Sequence, residues 1–234
     1  MTARHRGLGR ALIVIAAASV FSFAANDAVA QRGGGGRGGR GGGGAPTVVP
    51  GQFTVKVQLA GREFTKPLTV DLDPRANVTT ADLEAQRDLA LNLRDLNGRV
   101  TNVIDRSEDL IGQLTSLVDN IRKNAPNERE ALNEAEGALV ELKKLRDEKL
   151  LRPIAGLGYR QYPRLREEVG SLSGSVSRTI TRPTDSQARR STELVTETGV
   201  VQKELQGIVD GRIAKLNALL KNLPHIIVRG GAIM

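Results

Sequence analysis

Residues 79–123 read TTADLEAQRDLALNLRDLNGRVTNVIDRSEDLIGQLTSLVDNIRK, and the spacing of apolar side chains in this stretch decides the fold. From Leu89 onward they recur at alternating steps of four and three: Leu93, Leu96, Val100, Val103, Leu110, Leu114, Leu117 and Ile121. Ser107 is the one polar residue on that seam. An average step of about 3.5 residues keeps all of them on one face of a helix, whereas a strand would scatter them over two faces. Thr79 is placed to cap the first turn, and Asp82, three residues on, makes an acidic variant of the capping box. Gly98 and Gly112 each cost about 1 kcal/mol in a helix interior. Asn97-Gly98 is also a turn dipeptide, but the seam passes through it in register. The reading is one helix of about 44 residues, roughly 66 Å long at 1.5 Å per residue. A face of that kind has to be covered, so more helices are expected to pack on it.

The chain beyond it supplies them. Ala125-Pro126-Asn127 breaks the pattern, and Asn127 is placed to cap a second helix running to about Leu151, with Leu132, Ala135, Leu139, Leu142 and Leu145 inward and Pro153 as the stop. A third helix is predicted to start near Tyr162, with Pro163 at its first position and Leu165, Val169, Leu172 and Val176 as its seam. Tyr159 and Tyr162, in a Gly/Pro loop, are expected to plug one end of the bundle. A fourth helix begins after Thr184 or Asp185 and carries Leu194, Val201, Leu205, Ile208, Leu216, Leu219 and Leu223. The fold class is therefore mainly α: an antiparallel up-and-down helical bundle over residues 79–223 of about four helices, the first one long, with an apolar tail over residues 224–234.

Upstream, the apolar period changes to two. Phe53, Val55, Val57 and Leu59 alternate with Thr54, Lys56 and Gln58, and Phe64, Leu68, Val70 and Leu72 alternate with Thr65, Thr69 and Asp71. With Ala60-Gly61 as a two-residue loop, Val57 faces Phe64 and Phe53 faces Leu68, so both apolar sets share one side. A β-hairpin over residues 47–75 precedes the bundle. Pro67 cannot donate to a ladder, which makes the second strand an edge there.

Residues 1–30 have the pattern of a secretory signal peptide. Arg4, Arg6 and Arg10 precede an apolar core over residues 11–23, and Ala28 and Ala30 supply the small side chains needed for cleavage. The apolar core is too short for a spanning helix, so no stable membrane span is expected and the mature chain should begin at Gln31, exported to the periplasm or secreted. Residues 31–46 are almost pure glycine with Arg32, Arg37 and Arg40, a flexible linker. The formal net charge of +8 is concentrated at this end. Six of the 34 basic residues and one of the 26 acidic ones, Asp27, fall in residues 1–46, leaving a net of +3 for the body. That balance, and a glycine tract without stacking aromatics, argue against nucleic acid.

The inventory narrows the chemistry. There is no cysteine, and His225 is the one histidine outside the leader. A thiolate nucleophile, a Cys-ligated metal, an imidazole metal site and a Ser-His-Asp triad are all without residues to build them. Glu167-Glu168, Asp105/Glu108/Asp109 and Glu134/Glu136/Glu141 could in principle supply a carboxylate pair, but a solvated helix face accounts for them. His225, after Pro224 at a helix end, reads as a cap or surface residue. No catalytic residue, cofactor or metal is expected, and the chain is read as a non-enzyme.

Three runs carry a family likeness: Pro50-Gly51-Gln52-Phe53-Thr54-Val55, Pro67-Leu68-Thr69-Val70-Asp71-Leu72-Asp73-Pro74-Arg75 before a long helix, and Tyr162-Pro163-Arg164-Leu165 with Gly170-Ser171-Leu172-Ser173-Gly174. Over residues 47–223 the order of elements resembles the C-terminal region of large secreted bacterial β-propeller proteins with BNR/Asp-box, sortilin-type repeats, often labelled glycosyl hydrolases. The resemblance implies that the hairpin is a remnant of an Ig-like sandwich. The propeller itself is absent, with no Trp and no Asp-box, and no propeller hydrolase residue maps onto this chain. Three functional readings follow: an exported non-enzymatic interaction or structural module, an accessory part of a sortilin-type propeller system, or an envelope coiled-coil protein that oligomerises through its long helix. A protein partner is expected, a secreted propeller protein being one candidate, with Thr54, Lys56 and Gln58 on the free hairpin edge as the contact; an oligomer is a further expectation.

Overall fold

The computed structural model describes residues 20–21, 28–29, 48–153, 161–221 and 223–229. It divides into two compact units, one containing the hairpin and one containing the helices. In the first unit, β1 (Val20–Phe21) and β2 (Ala28–Val29) form a short antiparallel ladder, as do β3 (Gly51–Leu59) and β4 (Arg62–Val70). Of the two cleavage residues, Ala28 lies in β2; Ala30 and the glycine tract at 31–46 lie outside the described residues.

The second unit is built on α1 (Thr80–Asn124), a single helix of 45 residues. Its capping box forms: the Asp82 N–H donates to Thr79 Oγ1 at 3.2 Å, and the Thr79 N–H donates to Asp82 Oδ2 at 3.1 Å. The seam is buried from Leu93 to Ile121, with Leu89 half-buried at its start, and Ser107 satisfies itself by donating to the Val103 carbonyl at 2.8 Å. Ile104, Ile111 and Val118 are buried beside it, because α1 is covered by more than one neighbour.

Those neighbours are α2 (Arg129–Leu145), α3 (Leu165–Ser177) and α4 (Asp185–Ile208). A π-turn over Arg146–Leu150 extends α2, and a second over Val209–Ile213 joins α4 to α5 (Ala214–Leu219) in one rod. Polar contacts fix the directions. Glu136 of α2 meets Arg122 near the end of α1, while Gln86 near the start of α1 donates to Val176 O and Thr179 O at the end of α3. Arg164, before α3, donates through Nε to the Asp147 carbonyl at the end of α2. Thus α2 and α3 run end to end, both antiparallel to α1, and together cover its length. The fourth helix returns alongside α1: Arg182 pairs with Asp82, and Arg99 donates to Gln202. The bundle is antiparallel and up-and-down, with its descending run shared by two helices.

Several details depart from the sequence reading. Asn127 is not the cap of α2; Glu128 occupies that position and makes no side-chain cap bond. The inward face of α2 is Ala131, Ala135, Ala138, Leu142 and Leu145, with Leu132 and Leu139 half-buried. Alanine lets the two backbones approach closely, and the leucines then pack at the margins. The third helix starts at Leu165, so Pro163 lies before it, and the Arg164 N–H is taken up by the Glu167 carboxylate at 2.9 Å. Tyr162 is 84% exposed and plugs nothing; Tyr159 lies outside the described residues. In the fourth rod Ile213 and Leu220 are buried, while Ile208, Leu219 and Leu223 are half-buried. The π-turn is the cause: its extra residue moves the inward face from Leu219 to Leu220.

The tail is held rather than loose over residues 224–229. Asn217 donates to the Ile226 carbonyl at 2.9 Å and accepts the Ile226 N–H at 2.8 Å. Gln113 of α1 treats Ile227 the same way, at 2.9 and 2.8 Å. His225 Nε2 lies 2.7 Å from the Leu220 carbonyl, closing the end of the last helix.

Candidate functional site: the open edge of the hairpin

The hairpin has the expected register, with Val57 opposite Phe64 and Phe53 opposite Leu68. Its loop places Ala60 at φ 49° and Gly61 at φ 76°. Two successive positive φ values are what a type I′ turn requires, and its twist matches that of the strands it joins. Glycine takes that conformation freely; alanine does so at a cost of roughly 1–2 kcal/mol.

Register and proline chemistry show which backbone groups face outward. Pro67 sits opposite Thr54 inside an unbroken ladder. Lacking an N–H, it fits only a pair that exchanges no backbone hydrogen bonds, and bonded and non-bonded pairs alternate along an antiparallel ladder. Gln52, Thr54, Lys56 and Gln58 are therefore the β3 residues whose N–H and C=O point to the open edge. The turn agrees independently, since the loop-closing pair Leu59–Arg62 is a bonded one in a two-residue hairpin. Among the described residues this sheet has two strands and both outer edges are unpaired. They differ in kind. The β4 edge is interrupted by Pro67, whereas β3 offers nine residues without proline or bulge and carries one charge, Lys56.

Thr54, Lys56 and Gln58 also share the polar face. Lys56 Nζ is 2.8 Å from Glu63 Oε1, and Gln58 donates to Glu63 Oε2 at 3.2 Å. These bonds, that of Lys56 first, hold the Glu63 carboxyl below the usual carboxylate range. Thr54 is exposed and faces no charged partner across the ladder. On the other face Phe53 is 8% exposed, whereas Val57 and Phe64 are 52% and 55% exposed. The strand Val20–Phe21 lies beside β3 without joining its sheet.

Acidic residues from two of the other clusters singled out in the sequence are paired with basic side chains. Glu134 takes Lys215 at 2.6 Å and Arg212 at 3.2 Å, and Glu141 takes Arg212 at 2.7 Å. Lys215 first, then Arg212, lowers the pKa of Glu134. Glu168 meets Arg190 at 3.8 Å. A shallow groove of about 530 Å³ between α2 and the fourth rod is rimmed by both signs, including Lys144, Lys149, Glu148 and Glu204. Among the described residues no group of three His, Cys, Asp or Glu side chains could hold a metal, and no helix is long and apolar enough to cross a membrane. Sequence reasoning missed Gln86, Gln113 and Asn217, whose roles depend on partners distant in the chain.

Fold and site define a class: an antiparallel helical bundle preceded by a two-stranded β-hairpin, one edge of which is uninterrupted by proline. No protein-family model matches the chain, and neither a curated protein nor a solved structure matches it.

Proposed function

We propose that the protein is an exported, non-enzymatic interaction module in which the β3 edge captures a protein partner by strand addition. The observation that carries this reading is the edge itself. Gln52, Thr54, Lys56 and Gln58 present backbone groups unpaired among the described residues, along a nine-residue strand without the proline that interrupts β4. The half-exposed apolar face behind it would give an incoming strand alternating apolar contacts as well as main-chain bonds. Export is supported by the leader pattern over residues 1–30. The third reading, oligomerisation through the long helix, has less support, because α2, α3 and α4 already cover the α1 seam. If the family likeness carries function, the captured partner is a secreted propeller protein.

The test is capture from periplasm or culture medium by the immobilised protein, compared with its Thr54→Pro and Gln58→Pro variants. Proline at either position removes an outward N–H while leaving the β3–β4 ladder its bonds. Capture should fall in both variants with the helical circular dichroism unchanged. If it survives deletion of residues 47–72, the contact lies on the bundle and the reading fails.

A further inference from the structure

The edge has a property that names its partner. The polarity of β3 is symmetric about Val55: Thr54 and Lys56 flank it, then Phe53 and Val57, then Gln52 and Gln58. We propose that the occupant of this edge is a second copy of the same strand, paired antiparallel about a two-fold axis through Val55. The inference rests on the edge reading above.

A two-fold contact of this kind is self-complementary, so each residue must suit the one that symmetry places opposite it. Directly opposed residues share a face, so the axis must pass through a residue rather than between two. Through Lys56 it would set two ammonium groups directly against each other, which is unfavourable. Through Val55, the central residue of Gly51–Leu59, all nine residues of each strand overlap. Apolar then meets apolar, with Val55 on its own mate and Phe53 on Val57 of the second copy. Polar meets polar, with Gln52 on Gln58 and Thr54 on Lys56. The hydrogen-bonding phase also fits. The opposed pairs Thr54–Lys56 and Gln52–Gln58 consist of the residues whose backbone groups point outward, and about eight new ladder bonds would form. Two marginal hairpins become one four-stranded sheet, past the size at which a sheet is stable on its own. The exposed apolar side chains of both copies, Val57, Leu59, Phe64 and Leu68, then lie on one continuous face.

The chain contains no cysteine, which makes the geometry directly testable in the full-length protein. At a non-bonded antiparallel pair the Cα atoms lie about 4.5 Å apart, inside the range a disulfide spans. The Val55→Cys chain should therefore oxidise in air to a covalent dimer. The Leu59→Cys chain, whose mates lie at opposite ends of the strand pair, should not. In sedimentation experiments the unmodified protein should dimerise reversibly. Thr54→Lys, which sets a second ammonium against Lys56 of the other copy, should raise the dimer Kd, and Thr54→Glu should lower it. The pair occurs twice in the interface, so each shift should be roughly tenfold.

A chain that stays monomeric at every concentration overturns the inference. So does a dimer whose Kd ignores Thr54, or crosslinking of Leu59→Cys equal to that of Val55→Cys. If the chain is monomeric but capture still depends on Thr54 and Gln58, the edge binds a foreign strand and only self-pairing fails. If capture is also indifferent to both residues, the edge reading falls with it.

Discussion

Deleting one glycine from the fourth rod should be harmless at one position and ruinous at another. Between Leu205 and Ile213, both buried, the chain advances eight residues. At about 100° per residue in an α-helix, Ile213 would stand about 80° past two full turns and miss the core. The π-turn Val209–Ile213 corrects this. Residues bonded i to i+5 advance only about 80° each, so five of them take back roughly 100°. Deleting Gly211 removes the extra residue and leaves seven, which an ordinary α-helix covers within about 20° of the same face. A Cβ built on Gly211 meets nothing within 4 Å, so no packing is lost, and one fewer helical glycine gains about 1 kcal/mol. Gly199 in α4 is equally free of neighbours, but its deletion rotates Val201, Leu205, Ile213, Leu216 and Leu220 by about 100°. Exposing five core side chains costs roughly 7–15 kcal/mol at 1.5–3 each, comparable with the whole stability of an ordinary domain. Thermal melts followed by circular dichroism at 222 nm compare the two. The Gly211 deletion should melt within a few degrees of the parent and the Gly199 deletion should lack a cooperative transition. Equal damage from both would refute the role given to the π-turn.

Four further outcomes follow from local geometry. Ala60→Asn, at the positive-φ turn position before Gly61, should stabilise the hairpin by about 1 kcal/mol, read from slower amide exchange across β3 and β4; unchanged exchange would argue against the turn conformation. Thr79→Ala should cost about 1 kcal/mol through the lost cap. In the folded chain the Asp82 carboxyl lies below its ordinary range, held there first by the Thr79 hydroxyl and then by the Thr79 N–H. Because the folded value is depressed, its contribution is complete above the unfolded carboxylate range and is lost as pH falls through the lowered value. A melting-temperature series from neutral to acid pH should therefore fall less steeply for Asp82→Asn than for the parent, and parallel curves would count against the linkage. Gln113→Ala and Asn217→Ala should each remove two hydrogen bonds to the tail, a net loss of roughly 1–3 kcal/mol, seen as faster exchange at the Ile227 and Ile226 amides respectively; the global melt should move less than the exchange does.

Local periodicity and turn chemistry were enough to place α1, its Thr79 cap, the Thr184 start of α4 and the hairpin register. Each depends on residues within a turn or a strand of one another, and the physics that sets them acts over the same short range. A seam says that a face is buried, but not what buries it. So the end-to-end arrangement of α2 and α3, and the alanine face of α2 turned to α1, became visible only when the neighbours were in place. The π-turns are tertiary in origin as well. Nothing in the sequence of Val209–Ile213 demands an i to i+5 turn; the requirement that Leu205 and Ile213 meet the same core does. Gln113 and Ile227 are separated by 114 residues, so no reading of spacing could have paired them. The residues of the β3 edge, Thr54, Lys56 and Gln58, could be chosen from sequence as the polar alternates of a strand. That their backbone groups face outward follows from that register and Pro67; what only the structure added is that no described strand pairs with the edge they line.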